Sequence, residues 1–350
     1  MTILAPYEYM WALGNSSSYK ITGLVDGMTK IKLPAATSAF VIGDGNGGLW
    51  GTVTDNIDDM KQYVSKGGYL IISCGGANGP YLEDTMTEDQ EYTALKSLLD
   101  KTGCRALDFD IEGAAVADTS ATSKRINVLL RLLKVYPSLY ISYTLPVGDP
   151  QWGSLTQDSL TLLKTTIKAG LNVNVINGMA MDLYSSTLEK DWGTTAISII
   201  ESMKSQIKTL YPAKTDAQVY AMLGVTFMAG ENDDGSTFSV ANATTVAEYA
   251  VKNKMALISF WALQRDQSDE SGGLSTSTMI KQTDYAFYNA CIAPINSNAN
   301  PHPVQQWLPG NTYVVGDAVL FYLNKYVCKK SNTAVELQTP DITTDLWLKL

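Results

Sequence analysis

The 350-residue sequence predicts an α/β protein, a (β/α)8 TIM barrel over residues 1–292 followed by a small all-β unit. Eight short runs rich in β-branched and aromatic residues recur through the first 265 residues, segments with helical periodicity lie between them, and the runs start about 31 to 46 residues apart. That spacing is the crossover length of a parallel strand-helix-strand unit, and eight such units fill one closed barrel. A doubly wound open sheet is the competing arrangement, but no Gly-rich phosphate loop opens a helix after the first run.

In chain order the strand candidates are "YEYMWAL" from 7, "SAFVIGD" from 38, "YLIISCG" from 69, "ALDFDIE" from 106, "LYISYTL" from 139, "VNVINGMAMD" from 173, "VYAMLGVTF" from 219 and "ALISFWAL" from 256. Helices are expected in "DNIDDMKQYVSKG" from 55, "SKRINVLLRLLKVYP" from 123, "SLTLLKTTIKAG" from 159 and "TTVAEYAVKNK" from 244, several of them stopped by Gly or Pro. The Pro, Asn and Ser of 293–305 read as a linker, and 306–350 as a unit of short alternating strands.

Composition narrows the chemistry. A net charge of -9 argues against a polyanionic partner, so no nucleic acid is expected, and no segment is apolar for long enough to span a membrane. His302 is the only histidine and falls in the linker, which removes imidazole-based catalysis and zinc hydrolysis. No cofactor or metal is expected. Cys74, Cys104, Cys291 and Cys328 show no C-x-x-C spacing; Cys74 and Cys104 read as small core residues. The start "MTILAPYEYMWAL" lacks a basic region followed by a long apolar run, so export would need a leader already removed or another route.

The fourth run carries three acids. On a strand, Asp108, Asp110 and Glu112 of "LDFDIEG" share one face while Leu107, Phe109 and Ile111 share the other. In a barrel the acids then step up the interior and Glu112 ends its strand at the C-terminal rim, where barrel active sites gather. Crowded carboxylates in a low-dielectric pocket cannot all ionise, so one is held protonated as a general acid. All three acids come from one strand and one side, which supplies an acid and a tuning group but no opposed nucleophile. The substrate must bring its own, as the carbonyl oxygen of an N-acetyl group at C2 of a sugar can. A buried network serving barrel packing alone is the competing reading, and an acid cluster holding Mg²⁺ a further one.

These motifs resemble those of glycoside hydrolase family 18, the chitinases and related endo-N-acetylglucosaminidases. "LDFDIEG" is similar to its D-x-x-D-x-D-x-E signature, "SCGG" at 73–76 to its S-x-G-G, "MAMD" at 179–182 to its strand-six motif, and "LISFWALQRD" at 257–266 to its strand-eight segment. The resemblance implies that Glu112 protonates the glycosidic oxygen and later activates water. It further implies that Asp110 bonds the acetamide N-H and stabilises an oxazolinium, and that Asp108 sets the protonation of Asp110. Asp182, Met181 and Tyr184 would contact the sugar, and Trp261 would form its floor. Ser73, Gly75 and Gly76 are expected to pack around the acids, and Tyr7, Trp11, Trp50, Tyr143 and Trp152 stand near strand ends, each equally a candidate to line the cleft or a core residue. The implied partners are chitin or N-acetylglucosamine oligosaccharides, bound by an extracellular monomer. Two departures stand out: Arg105 occupies the first Asp position of the signature, and Met181 stands where many members carry tyrosine. A lectin-like protein that binds chitin or N-glycans without cutting them is one alternative, and an endo-β-N-acetylglucosaminidase acting on glycoproteins the other.

The last 45 residues resemble family 5/12 carbohydrate-binding modules, with Trp307, "YVVGD", "YVC" and Trp347 in order. Chitin binding by this unit is implied, although "KKSNTAVE" replaces the exposed aromatics usual after the third strand.

Overall fold

Each of the eight runs contains a strand in the computed structural model, which describes residues 2–184, 191–268, 272–297, 305–322 and 324–350. β1 comes in two pieces, Ile3–Leu4 and Tyr7–Tyr9; β2 is Ala35–Val41, β3 Tyr69–Gly75, β4 Ala106–Asp110, β5 Tyr140–Pro146, β6 Val175–Met179, β7 Leu223–Met228 and β8 Leu257–Trp261. All neighbours pair in parallel. Pro6, which lacks an N-H, separates the two pieces of β1. Ile3–Leu4 pairs with Leu257 and Ile258 of β8, whereas Tyr7–Tyr9 pairs with Thr37–Ala39 of β2. One segment thus joins both ends of the sheet and closes it.

A helix follows every strand: α1 Leu24–Ile31, α2 Ile57–Ser65, α3 Glu88–Thr102, α4 Thr119–Val135, α5 Gln157–Lys168, α6 Trp192–Leu210, α7 Val240–Lys252 and α8 Ala286–Ser297. Their starts are chemically marked. Thr87 and Ser239 form capping boxes with Gln90 and Asn242, and the carboxylates of Asp118 and Asp191 accept the first free N-H groups of α4 and α6. Gly103, at φ 73°, closes α3 in the left-handed conformation. No helix among the described residues is long and apolar enough to cross a membrane.

Four expected boundaries shift. The run from 219 begins in a short helix, Asp216–Tyr220, capped by Thr215, and becomes a strand only at Leu223. The run from 7 leaves the sheet at Tyr9 for a 3-10 turn, Met10–Ala12. Pairing of β4 stops at Asp110; Ile111 still donates its N-H to the Thr144 carbonyl at 3.0 Å, and Gly113 at φ 54° then turns the chain away. Glu112 therefore stands just past the ladder. α8 runs to Ser297, into the stretch read as linker, anchored by the buried Phe287, Tyr288 and Cys291. His302 lies outside the described residues. All four cysteines are free and buried.

The interior of the barrel is polar at its centre. Ser73, Asp108, Ser142, Thr144, Asn177 and Thr226 are buried there, where barrels of this type are more often filled by Val, Ile and Leu. Leu107, Phe109 and Ile111 face the other way, buried in the hydrophobic layer beneath the helices, as the alternation requires.

The C-terminal unit is built of short strands, with Gln305–Gln306, Ala318–Phe321, Asn324–Cys328 and Trp347–Lys349 in one sheet and Thr312–Tyr313 paired to Asn332–Thr333 in another. It docks on the barrel at the N-terminal ends of β3, β4 and β5. Arg105, immediately before β4, is buried and forms an ion pair through Nε with Asp341 at 3.0 Å. Its Nη1 donates to the carbonyls of Leu99 and Cys104, and its guanidinium lies 4.4 Å from the Tyr136 ring centre. Beside it the Tyr326 hydroxyl donates to Ser138 Oγ at 2.8 Å, and the rings of Tyr322 and Tyr69 stand 4.8 Å apart. Removing one member of a buried ion pair strands the other charge, a loss of about 3–5 kcal/mol. Arg105→Met and Asp341→Leu should each lower unfolding stability by about that much in urea titrations, while the double substitution should recover most of it.

Candidate active site

The centre of the site is Asp108. β4 pairs with β3 so that Ser73 stands beside Asp108, and with β5 so that Ser142 does. Ser142 Oγ donates to Oδ1 at 2.6 Å and Thr144 Oγ1 at 2.9 Å, while Ser73 Oγ and Tyr7 Oη donate to Oδ2 at 2.7 and 3.2 Å. Burial pushes the Asp108 carboxyl up, and the four hydroxyls draw it part of the way back. Asp110, one step higher, is buried, lines the cleft and has its Oδ1 unpartnered. Burial, followed by the charges of Glu112 and Asp108, holds it well above the usual carboxylate range.

Glu112 sits at the mouth. Burial pushes its carboxyl up to about 6, with the charge of Asp182 adding to the effect. The sequence led us to expect the strand-four aspartates to crowd the glutamate; the shift at Glu112 itself comes from burial and from Asp182 at the end of β6. The charge of Glu112 in turn favours the proton on Asp110.

A cleft of about 390 Å³ opens above these acids. Asp110, Glu112, Met181, Asp182 and Trp261 all line it. The Trp261 ring lines it, parallel to Phe40 at 5.5 Å and edge-on to Tyr7 at 5.7 Å. Trp11 and Trp50 stand half exposed on the wall, Trp11 stacked on Tyr9 at 4.3 Å. Asp182, at φ 50°, accepts the N-H groups of Asp233 and Asp234 on Oδ1 at 2.7 and 3.3 Å.

Other candidates fall elsewhere. Tyr184 is 74% exposed, donates its N-H to Asp234 and does not line the cleft; 185–190 lie outside the described residues. Tyr143 is fully buried on the outer face of β5, edge-on to Phe109, because it alternates with the inward Ser142 and Thr144. Trp152, on a short 3-10 turn after β5, is 81% exposed and outside the cleft. Gly75 and Gly76 do permit close packing: a Cβ on Gly75 would meet the Asp110 carbonyl at 2.2 Å, and one on Gly76 the Phe40 ring at 2.6 Å. Arg105 turns toward Asp341 and away from the acids.

Several lining residues escaped the sequence reading. Thr144 and Thr226 are joined through Asn177 Nδ2, at 3.0 and 2.7 Å, and belong to strands whose inward alternation was readable. Asp233 reaches the cleft from "ENDDG" after β7, a turn-like run that carried no chemical signal by itself.

No family model matches the chain. A probable bifunctional chitinase/lysozyme of Escherichia coli (strain K12) is 30% identical over 251 residues, covering 66% of this chain and 28% of that protein. Endochitinase 11 of Metarhizium anisopliae is 29% identical over 220 residues, 59% of this chain and 42% of its own length. The chain thus spans less than half the length of these curated relatives. Among solved structures, the catalytic domain of a hyperthermophilic chitinase from Pyrococcus furiosus superposes with a TM-score of 0.74 at 28% identity, covering 85% of this chain and 96% of that one. The chain resembles chitinase catalytic domains. A family GH18 chitinase from Chromobacterium violaceum, TM-score 0.55 at 16% identity over 84% of this chain and 83% of that one, shares the fold.

With glutamate carboxyls labelled by ¹³C, NMR titration should place the Glu112 midpoint near 6. Asp182→Asn should lower it, because a negative neighbour is removed, and Arg105→Met should leave it in place.

Proposed function

We propose that the chain is a chitinase that acts outside the cell as a monomer, cutting β-1,4-linked N-acetylglucosamine polymers with retention by a substrate-assisted mechanism. The observation that carries this reading is that Asp110 and Glu112, from one strand, line a single cleft together with Trp261. The chitinase relatives and the Pyrococcus furiosus catalytic domain support the substrate class.

The sugar to be cleaved lies on the Trp261 ring with its glycosidic oxygen at Glu112. Glu112, protonated up to about pH 6, gives its proton to that oxygen as the bond to C1 breaks. The acetamide carbonyl oxygen of the same sugar forms the new bond to C1, giving an oxazolinium and a departing sugar hydroxyl. The ionised Glu112 then takes a proton from water as the water oxygen opens the ring from the opposite side, and two inversions amount to retention. Asp110 accepts and orients the acetamide N-H, and Asp108, fixed by its four hydroxyls, sets through its charge the protonation of Asp110. Asp182 is the one carboxylate at the end of β6 that could attack as a protein nucleophile, but its Oδ1 is engaged by two backbone N-H groups. Met181 and Asp182 complete the sugar contacts in this reading, and Tyr184, outside the cleft, is left out of them. A lectin-like role drew its support from Arg105 and from the altered tail; Arg105 lies at the opposite pole of the barrel, paired with Asp341 of the docked unit.

The C-terminal unit we read as a structural cap. Trp307, Tyr313, Phe321, Tyr322, Tyr326 and Trp347 are all buried, so none offers a free ring face for a sugar to stack on.

Glu112→Gln should reduce turnover of N-acetylglucosamine hexamer about 10²- to 10⁴-fold, the range for loss of a positioned acid. Early products should carry the β anomer by NMR, and β-1,4 glucose oligomers, which lack the acetamide, should not be cut. Equal turnover in the variant, or efficient cutting of the glucose oligomer, would remove the mechanism.

A further inference from the structure

Tyr81, on the turn after β3, has no part in the mechanism above, yet its side chain holds the backbone of the acid. Its hydroxyl oxygen accepts the Glu112 N-H at 2.8 Å. That contact comes where the sheet has given out: Ile111 is the last residue of this segment bonded to β5, and Gly113 turns the chain. Resting on the reading of Glu112 as proton donor, we propose that Tyr81 is a positioning residue that aims the Glu112 carboxyl at the leaving-group oxygen.

The phenol is itself firmly placed. Its ring covers Gly75, where a Cβ would stand 2.8 Å from the Tyr81 Cε1 atom, so the ring lies against the backbone beside Asp110. Its carbonyl accepts from Thr85 Oγ1 at 3.2 Å. The turn that follows is gripped from α4: Lys124 Nζ donates to the carbonyls of Glu83 and Met86, and Arg125 forms a buried ion pair with the Glu83 carboxylate. The loop bearing Glu112 leads directly into α4, so the Tyr81 turn holds that loop at its start through the hydroxyl and at its end through Lys124 and Arg125. Both ends are pinned to one support.

The direction of the bond adds to the argument. The Glu112 N-H donates, so the phenol keeps its own hydrogen for another acceptor. Burial pushes that phenol up to about 12, and it stays neutral through the working range. Tyr81 lines a second hollow of about 480 Å³ that shares Glu112 with the main cleft.

Misplacing a catalytic group by about 1 Å can cost about 10²-fold. The test is Tyr81→Phe, which keeps the ring and removes the oxygen, run beside Glu112→Gln. Specificity constants (kcat/KM) are compared on an N-acetylglucosamine oligomer, whose leaving hydroxyl needs a proton, and on an aryl glycoside whose acidic phenol leaves with little help. Tyr81→Phe should lose about tenfold on the oligomer and under about threefold on the aryl glycoside, with KM and melting temperature nearly unchanged. A 3,5-difluorotyrosine at position 81 keeps the shape, weakens the acceptor and covers the case in which Phe folds poorly; it should give an intermediate loss with the same substrate bias. Equal losses on both substrates, or none on the oligomer, would overturn the proposal. A bias seen in Glu112→Gln and absent in Tyr81→Phe overturns only the role of Tyr81, whereas no bias in Glu112→Gln overturns both.

Discussion

Four hydroxyl groups converge on one buried carboxylate, and the rest of the site follows from that constraint. A lone ionised aspartate at the centre of a barrel would be excluded by its desolvation cost unless its lone pairs were satisfied. Tyr7, Ser73, Ser142 and Thr144 do this from β1, β3 and β5, which fixes the register of those strands against β4. With Asp108 anchored, alternation sets Asp110 one step higher and Glu112 at the rim. The polar centre of the barrel is thus part of the chemistry above it, and Ser73 and Ser142 act on the site without reaching the cleft.

Glu112 is tuned by a different route. Its environment is built across the mouth, from Asp182 on the far side and from the Tyr81 turn on the near side, where no sheet pairing remains. A group that must alternately release and recover a proton is placed at the one position of the strand that the ladder no longer holds. The neighbouring loops supply the rigidity that the sheet does not.

Much of this was legible in the chain. Period-two alternation in "LDFDIEG" separated the acids from Leu107, Phe109 and Ile111 correctly, and the spacing of eight runs gave the barrel. The same rule applied to "YISYTL" would have sent Tyr143 outward and drawn in Ser142 and Thr144. Tyr143 was misplaced because an aromatic near a strand end suggests sugar stacking more loudly than alternation argues against it. Tyr184 and Asp233 depend on loop paths after β6 and β7, where left-handed backbone at Asp182 and Tyr184 redirects the chain and no periodicity survives. Arg105 could be read from the sequence only as a missing acid, because its partner Asp341 lies in a separate unit far along the chain.

The docking of that unit also sets an orientation. Leu348 is exposed on the edge strand of the sheet that packs on the N-terminal pole, the side away from Glu112. A bead or solid support attached at that edge would leave the mouth of the barrel turned outward, open to an approaching chain.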